Sequence, residues 1–247
     1  EGKWYWRVKA IDSANNESVS GDWNLNIDTT LPTVPQPLTP FAGSYILNRT
    51  PTFSWEPSVD ASPLIYALEL SQDQFQTITF PKTTSATSYT LSGIEPELLA
   101  DGTWYWRVVA RDAANNIAQP SEIRVLIVMA TPPSTSELSN PISGTYLNDN
   151  TPAFSWSAST GSEPITYILE IDDSVAFSSI DVKIDGLSKT SYTLIQPLPD
   201  KKWHWRITAV DFFNRKSTSL VWSFIIDTTL PSVPVLLSPS ANVYTSN

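Results

Sequence analysis

Any chemistry in this chain would have to come from oxygen ligands and carboxylates. The 247 residues hold 25 Asp and Glu, 15 Lys and Arg, one His and no Cys. Without Cys there is no disulfide, no zinc–thiolate site and no Cys nucleophile. With His204 as the one imidazole, multi-His metal sites are excluded, and a Ser–His–Asp triad could form only there. The formal net charge of −10 opposes binding to phosphate backbones, so nucleic acid is not an expected partner. The most suggestive oxygen donors are Asp28, Asp60, Asp112, Asn115 and Asn116. Gathered at a joint between domains, they could hold calcium and stiffen the joint. However, no segment has EF-hand spacing, and Asp and Asn in turns ordinarily bond their own backbone. Asp172-Asp173 reads as a solvated turn. Glycoside chemistry would need two carboxylates about 5–10 Å apart in a cleft, and no polar constellation recurs along the chain. No catalytic, cofactor-binding or metal-ligating residue is therefore assigned. The expectation is no enzyme and no cofactor, with calcium at interdomain junctions as the alternative.

The elements that would position these residues are set by an internal repeat. Trp4-Tyr5-Trp6-Arg7-Val8 returns as Trp104-Tyr105-Trp106-Arg107-Val108 and as Trp203-His204-Trp205-Arg206-Ile207. Thr50-Pro51-Thr52-Phe53-Ser54-Trp55 returns as Thr151-Pro152-Ala153-Phe154-Ser155-Trp156. The period is near one hundred residues, the size of a domain rather than of a solenoid unit. Within each copy the apolar period is two: Trp104, Trp106, Val108 and Ala110 alternate with Tyr105, Arg107, Val109 and Arg111. That alternation marks strands with one face on a core. Gly, Pro and Asn-Asn punctuate it, and no segment reads as a capped helix. About seven short strands per copy predict a two-sheet sandwich.

In this order the residues resemble tandem fibronectin type III-like or bacterial Ig-like modules. Phe-Ser-Trp resembles strand B, Tyr66–Leu70 resembles strand C, and Trp-x-Trp-Arg resembles strand F. The family's corner tyrosine falls on Trp104 and Trp203, so the resemblance implies an indole N–H in place of the phenol hydroxyl. The expected organisation is a partial sandwich at 1–32 (strands F and G only), complete sandwiches at 33–131 and 132–230, and the start of a further repeat at 231–247. The partial hairpin would expose Trp4, Trp6 and Trp23, so weak packing is expected there.

The repeat also bears on the aromatics. Ten Trp could suggest a sugar platform, but all ten occupy repeated positions, as do the nine Tyr, including Tyr45, Tyr146 and Tyr244. Shared positions are read as core packing. Phe41, Phe80, Phe212 and Phe213 stand outside the pattern. Phe212-Phe213, at the strand F–G loop, is a candidate contact for the linker at Met129; the alternative is that one Phe tucks into its own sandwich. Arg107 and Arg206 are expected to pair with strand neighbours on the outer face, and His204 to be a surface cross-strand residue. Proline-rich connectors such as Leu31–Pro37 are semi-rigid.

The resemblance implies a non-catalytic extracellular or cell-surface array acting as a semi-rigid stalk, adhesin shaft or spacer on a surface or secreted protein. The alternative is a set of accessory carbohydrate-binding or spacer modules of a secreted polysaccharide-degrading enzyme. The expected partners are neighbouring repeats of the same chain, with a surface protein or glycan as further candidates. No window is long and apolar enough to span a membrane.

Overall fold

The computed structural model describes residues 1–237. Tyr244 and the other residues of 238–247 lie outside the described residues, as does most of the segment expected to open a further repeat; 231–237 carry no strand. Among the described residues there is no helix, and so none long and apolar enough to cross a membrane. By internal contact the chain divides into two units, residues 1–131 and a second beginning at Pro132.

The first unit opens with β1 (Gly2–Trp6), β2 (Lys9–Ile11), β3 (Glu17–Val19) and β4 (Trp23–Ile27). β1 pairs antiparallel with β4, and β2 with β3. Two ribbons do not bury a face, so Trp4, Trp6 and Trp23 stay exposed, Trp4 at 57%. There follow β5 (Gln36–Thr39), β6 (Ser44–Ile46), β7 (Thr52–Glu56), β8 (Leu64–Ser71), β9 (Phe80–Thr84), β10 (Ser88–Thr90), β11 (Gly102–Asp112) and β12 (Arg124–Val128). They form a three-stranded sheet of order β10-β7-β5 and a five-stranded sheet of order β6-β12-β11-β8-β9.

The second unit repeats the arrangement. Its strands are β13 (Leu138–Asn140), β14 (Thr145–Leu147), β15 (Ala153–Trp156), β16 (Thr166–Asp172), β17 (Val182–Leu187), β18 (Ser191–Thr193), β19 (Lys202–Val210), β20 (Lys216–Thr218) and β21 (Trp222–Ile226). One sheet runs β13-β15-β18. The other runs β14-β21-β19-β16-β17, with β20 also paired to β19. The chain is thus all-β, built of sandwiches. The first has eight strands where seven were expected, because its first strand is split between the two sheets; the second has nine, with the same split and the short β20 besides. The second half of the split strand, β6 or β14, joins the larger sheet parallel to β12 or β21. Pro40 and Pro141 have no amide to donate at the break. Gly43 and Gly144, at φ +78° and +83°, then turn the chain across; a side chain would be strained in that region.

The alternation seen in β11 and β19 places the cores. Trp106, Val108 and Ala110 are fully buried with Phe53, Leu68, Leu70 and Leu126. Trp205, Ile207 and Ala209 are buried with Phe154, Leu169, Ile171 and Phe224. Phe53 meets Trp106 edge-to-face at 5.1 Å, and Phe154 meets Trp205 at 4.9 Å. Such pairs add about 1 kcal/mol beyond area burial. At the corner the implied substitution is present: Trp104 Nε1 donates to Ala100 O at 2.9 Å, and Trp203 Nε1 to Pro199 O at 3.0 Å. The remaining buried indoles, Trp55, Trp106, Trp156 and Trp205, find no acceptor for their N–H.

Candidate functional site

The Asp that ends each Trp-x-Trp strand serves the backbone of the turn that follows. Asn15, Asn115 and Asn214 take φ of 66°, 70° and 60° there, which Asn tolerates better than most residues. Asp12 and Asp112 each accept the amide of the residue four along, Asn16 at 2.9 Å and Asn116 at 2.8 Å. Burial pushes Asp112 up, but hydrogen bonds from the Asn116 side chain and from the turn amides outweigh it and leave its pKa lowered. In the third copy Arg215 replaces the Asn, donating through Nε and Nη2 to Asp211 Oδ2.

The structure brings together three of the junction residues named above. One carboxylate oxygen of each of Asp28, Asp60 and Asp112 lies within 4.8 Å of the others. Part of their capacity is already used, although Asp60 Oδ2 is buried without a donor in a side chain that is itself only half-buried. Asn116 Nδ2 donates both to Asp112 Oδ2 at 2.7 Å and to the carbonyl of Asp28 at 3.0 Å, tying the hairpin to the sandwich. Asp60 Oδ1 accepts the amide and hydroxyl of Ser62. Thr33 and Val59 exchange a second pair of bonds across the same joint.

Asp172-Asp173 departs from the solvated turn expected of it. Asp172 is 0% exposed. Its Oδ1 accepts the Ser174 amide at 2.7 Å, while Oδ2 is buried with no protein donor. Its neighbours come from elsewhere in the chain: Asp172 ends β16, lies opposite His204 on β19, and sits beside the residue preceding β17, Asp181. Sequence reading missed Asp181 altogether. Lys201 Nζ pairs with Asp173 Oδ2 at 2.8 Å, and that contact lowers the Asp173 pKa.

Six Trp are buried as read, Trp55, Trp104, Trp106, Trp156, Trp203 and Trp205, and Trp222 is half-buried against its core. Tyr45 and Tyr146 correct the expectation of core packing. They are 57% and 72% exposed, because the middle residue of a three-residue edge strand faces out. Phe41 and Phe212 are exposed. Phe213 is half-buried, with Phe212 edge-on at 5.0 Å and the Arg215 guanidinium 5.6 Å from its ring centre. Arg107 and Arg206 do pair across strands, with Glu69 at 2.7 Å and Glu170 at 2.6 Å. Each also stacks on an aromatic ring, Phe75 and Phe177, at 4.2 and 4.1 Å. His204 is half-buried, with Nδ1 unpartnered.

Comparison with known proteins follows this geometry. No family model matches the chain. The chain is 26% identical over 254 residues to Exoglucanase B of Cellulomonas fimi, a match that takes in 98% of this chain and 22% of that protein. It thus spans about a fifth of the length of that curated relative. Among solved structures it is similar to the chicken CNTN1 FN1-FN3 domains, at TM-score 0.39 and 14% identity over 90% of this chain and 77% of that one. It is also similar to the fibronectin(III)-like modules of Clostridium thermocellum CbhA, at TM-score 0.34 and 16% identity over 78% and 92%. The chain resembles tandem fibronectin type III-like modules, and its sandwich architecture stands on the sheet order itself.

Proposed function

We propose that this chain is a non-catalytic run of sandwich modules from a secreted, polysaccharide-degrading enzyme, where it serves as a spacer beside other modules. The observation that carries this reading is the alignment of nearly the whole chain with a fifth of an exoglucanase. It favours the enzyme-associated role over a stalk or adhesin shaft. The polar groups support it. The recurring carboxylates cap turns or pair with arginines, which is structural work. A spacing role suits the surface better than sugar binding does. The exposed Trp, Trp4, Trp6 and Trp23, lie on the unpacked partial hairpin, and among the described residues the exposed aromatics of the two sandwiches, Phe41, Tyr45, Tyr146 and Phe212, include no Trp. An extracellular location follows from the same reading, because a polymer-degrading enzyme meets its substrate outside the cell.

Sequencing the gene outward through both ends tests this directly. A catalytic module encoded beside the array is expected. A cell-wall or membrane anchor with no catalytic module would overturn the reading and restore the stalk. Sedimentation with insoluble cellulose separates the two enzyme-associated roles: a spacer stays in the supernatant, whereas an accessory binding module pellets with the polymer.

A further inference from the structure

We propose that Asp172, Asp173 and Asp181 form a calcium site in the second sandwich, whatever larger protein the array serves. One carboxylate oxygen from each lies within 4.8 Å of the other two. Oxygens bound to one calcium ion at 2.3–2.6 Å can be at most about 5 Å apart, so the three fit around a single ion. The sheet creates this convergence. Ile171 pairs with Val182, which sets Asp172 and Asp181 side by side where the two strands open into the loop, and Asp173 follows at the loop's first position.

A second, independent observation points to a cation. Asp172 is fully buried, and its Oδ2 receives no hydrogen bond from the protein. A buried carboxylate oxygen without a partner costs several kcal/mol unless something positive meets it. The local charge says what that something is. Three carboxylates gather, and among the described residues their one ion-pair partner is Lys201, bound to Asp173 at the half-exposed rim. Two negative charges remain, the complement of a divalent ion. The donors are all oxygen, which selects a hard cation over zinc. Three carboxylates gathered around one point suit calcium, which takes carboxylates mono- or bidentate in irregular geometry, rather than magnesium, which demands near-ideal octahedral geometry and keeps several waters.

The first sandwich shows that the fold does not need these acids. By strand register the same positions there are Ser71, Gln72 and Thr79. Ser71 Oγ donates to Asp73 Oδ1 at 2.6 Å and accepts the Phe75 amide at 2.9 Å. Asp73 in turn accepts the Thr77 amide and hydroxyl. That loop closes with its polar groups satisfied by protein, whereas the second gathers charge instead. The expected affinity is that of extracellular modules, on the order of 10⁻⁴–10⁻³ M.

The test is calorimetric titration of the whole chain with CaCl₂, MgCl₂ serving as control, together with scanning calorimetry in EDTA and in about 5 mM calcium, above the affinity expected. Binding of calcium, and a rise of the second-unit transition with it, is expected. D173N/D181N should abolish both while melting close to the parent in EDTA: both side chains are exposed, the Lys201 pair at the surface is worth little, and an amide oxygen at 181 can still accept the residue-173 N–H that Asp181 Oδ2 accepts at 3.1 Å. K201Q, which deletes the competing cation together with its 4.1 Å contact over the Trp203 ring, should bind several-fold more tightly. The proposal is overturned if the parent binds no calcium, or if D173N/D181N binds as the parent does while D60N does not, which would place the ion at Asp28, Asp60 and Asp112. It is equally overturned if K201Q binds no more tightly than the parent.

Discussion

The indole hydrogen bond at each sandwich corner can be weighed against its neighbour two residues along. Trp203 and Trp205 are both buried and both face the core, but their N–H groups fare differently: the Trp203 N–H reaches Pro199 O at 3.0 Å, whereas the Trp205 N–H has no acceptor. Their ring contacts, Lys201 over Trp203 and the Phe154 and Trp222 edges on Trp205, are ones a phenyl ring can keep in part. Trp203→Phe and Trp205→Phe remove the same volume, so the transfer and cavity costs are comparable, about 2 kcal/mol each. Trp203→Phe also deletes a hydrogen bond with a net value of about 1 kcal/mol. Pro199 is exposed, so its carbonyl can turn to water and adds no further penalty. Trp205→Phe deletes a buried donor that had no partner, relieving about 1–2 kcal/mol. Trp203→Phe should therefore be the more damaging change by about 2–3 kcal/mol. At 4–8 °C per kcal/mol for a domain near one hundred residues, that separates the two transitions by about 10 °C or more. Scanning calorimetry of the whole chain reads it, because the two units should melt as separate transitions. Trp104→Phe against Trp106→Phe repeats the comparison in the first unit, where Trp104 N–H reaches Ala100 O at 2.9 Å. If in both units the second tryptophan proves as costly as the first, the corner bond is not what anchors this strand.

Three further outcomes follow from the same contacts. Glu97 is held at about 2, first by the Lys82 ammonium and then by the Ser92 amide. Its folded pKa lies below the ordinary unfolded value, so its stabilisation is complete above about pH 4.5 and disappears as pH falls toward 2. Glu97→Gln should flatten the acid side of the first-unit melting curve, and a parent-like pH dependence would contradict this. Asn116→Ala removes both bonds that tie Asp28 and Asp112 across the hairpin joint; limited proteolysis should then cut near residues 28–34 several-fold faster, with the 33–131 transition little changed, and an unaltered cleavage rate would show that the tie is idle. Arg206→Ala leaves Glu170, 8% exposed, without its partner and uncovers Phe177, a loss of about 2 kcal/mol after allowance for partial solvent access; Glu170→Gln with Arg206→Ala should recover part of it, and strict additivity in that double-mutant cycle would refute the pairing.

What was legible in the sequence was whatever the repeat and the period of two report directly. Alternation located the core faces of β11 and β19, because a sheet has only two faces and one must be apolar. The Arg–Glu pairs were legible for the same reason: two outward residues on adjacent strands meet when the register is known. Tyr45 and Tyr146 were misread because a repeat certifies that a position is shared, not what is shared, and an outward edge residue repeats as faithfully as a core one. The split first strand was hidden because each half is three or four residues long, too short to show a period. Asp172 was the deepest miss. Two adjacent acids look solvated when judged by neighbours in sequence, but Asp172 lies opposite His204 and beside Asp181, which only long-range register brings near. The signal that would have found it was the difference between copies. Ser71, Gln72 and Thr79 change together to Asp172, Asp173 and Asp181, three positions that share no segment and meet only in space. In a repeat array the common residues describe the fold, and concerted departures from them are where one copy has been given something of its own to hold.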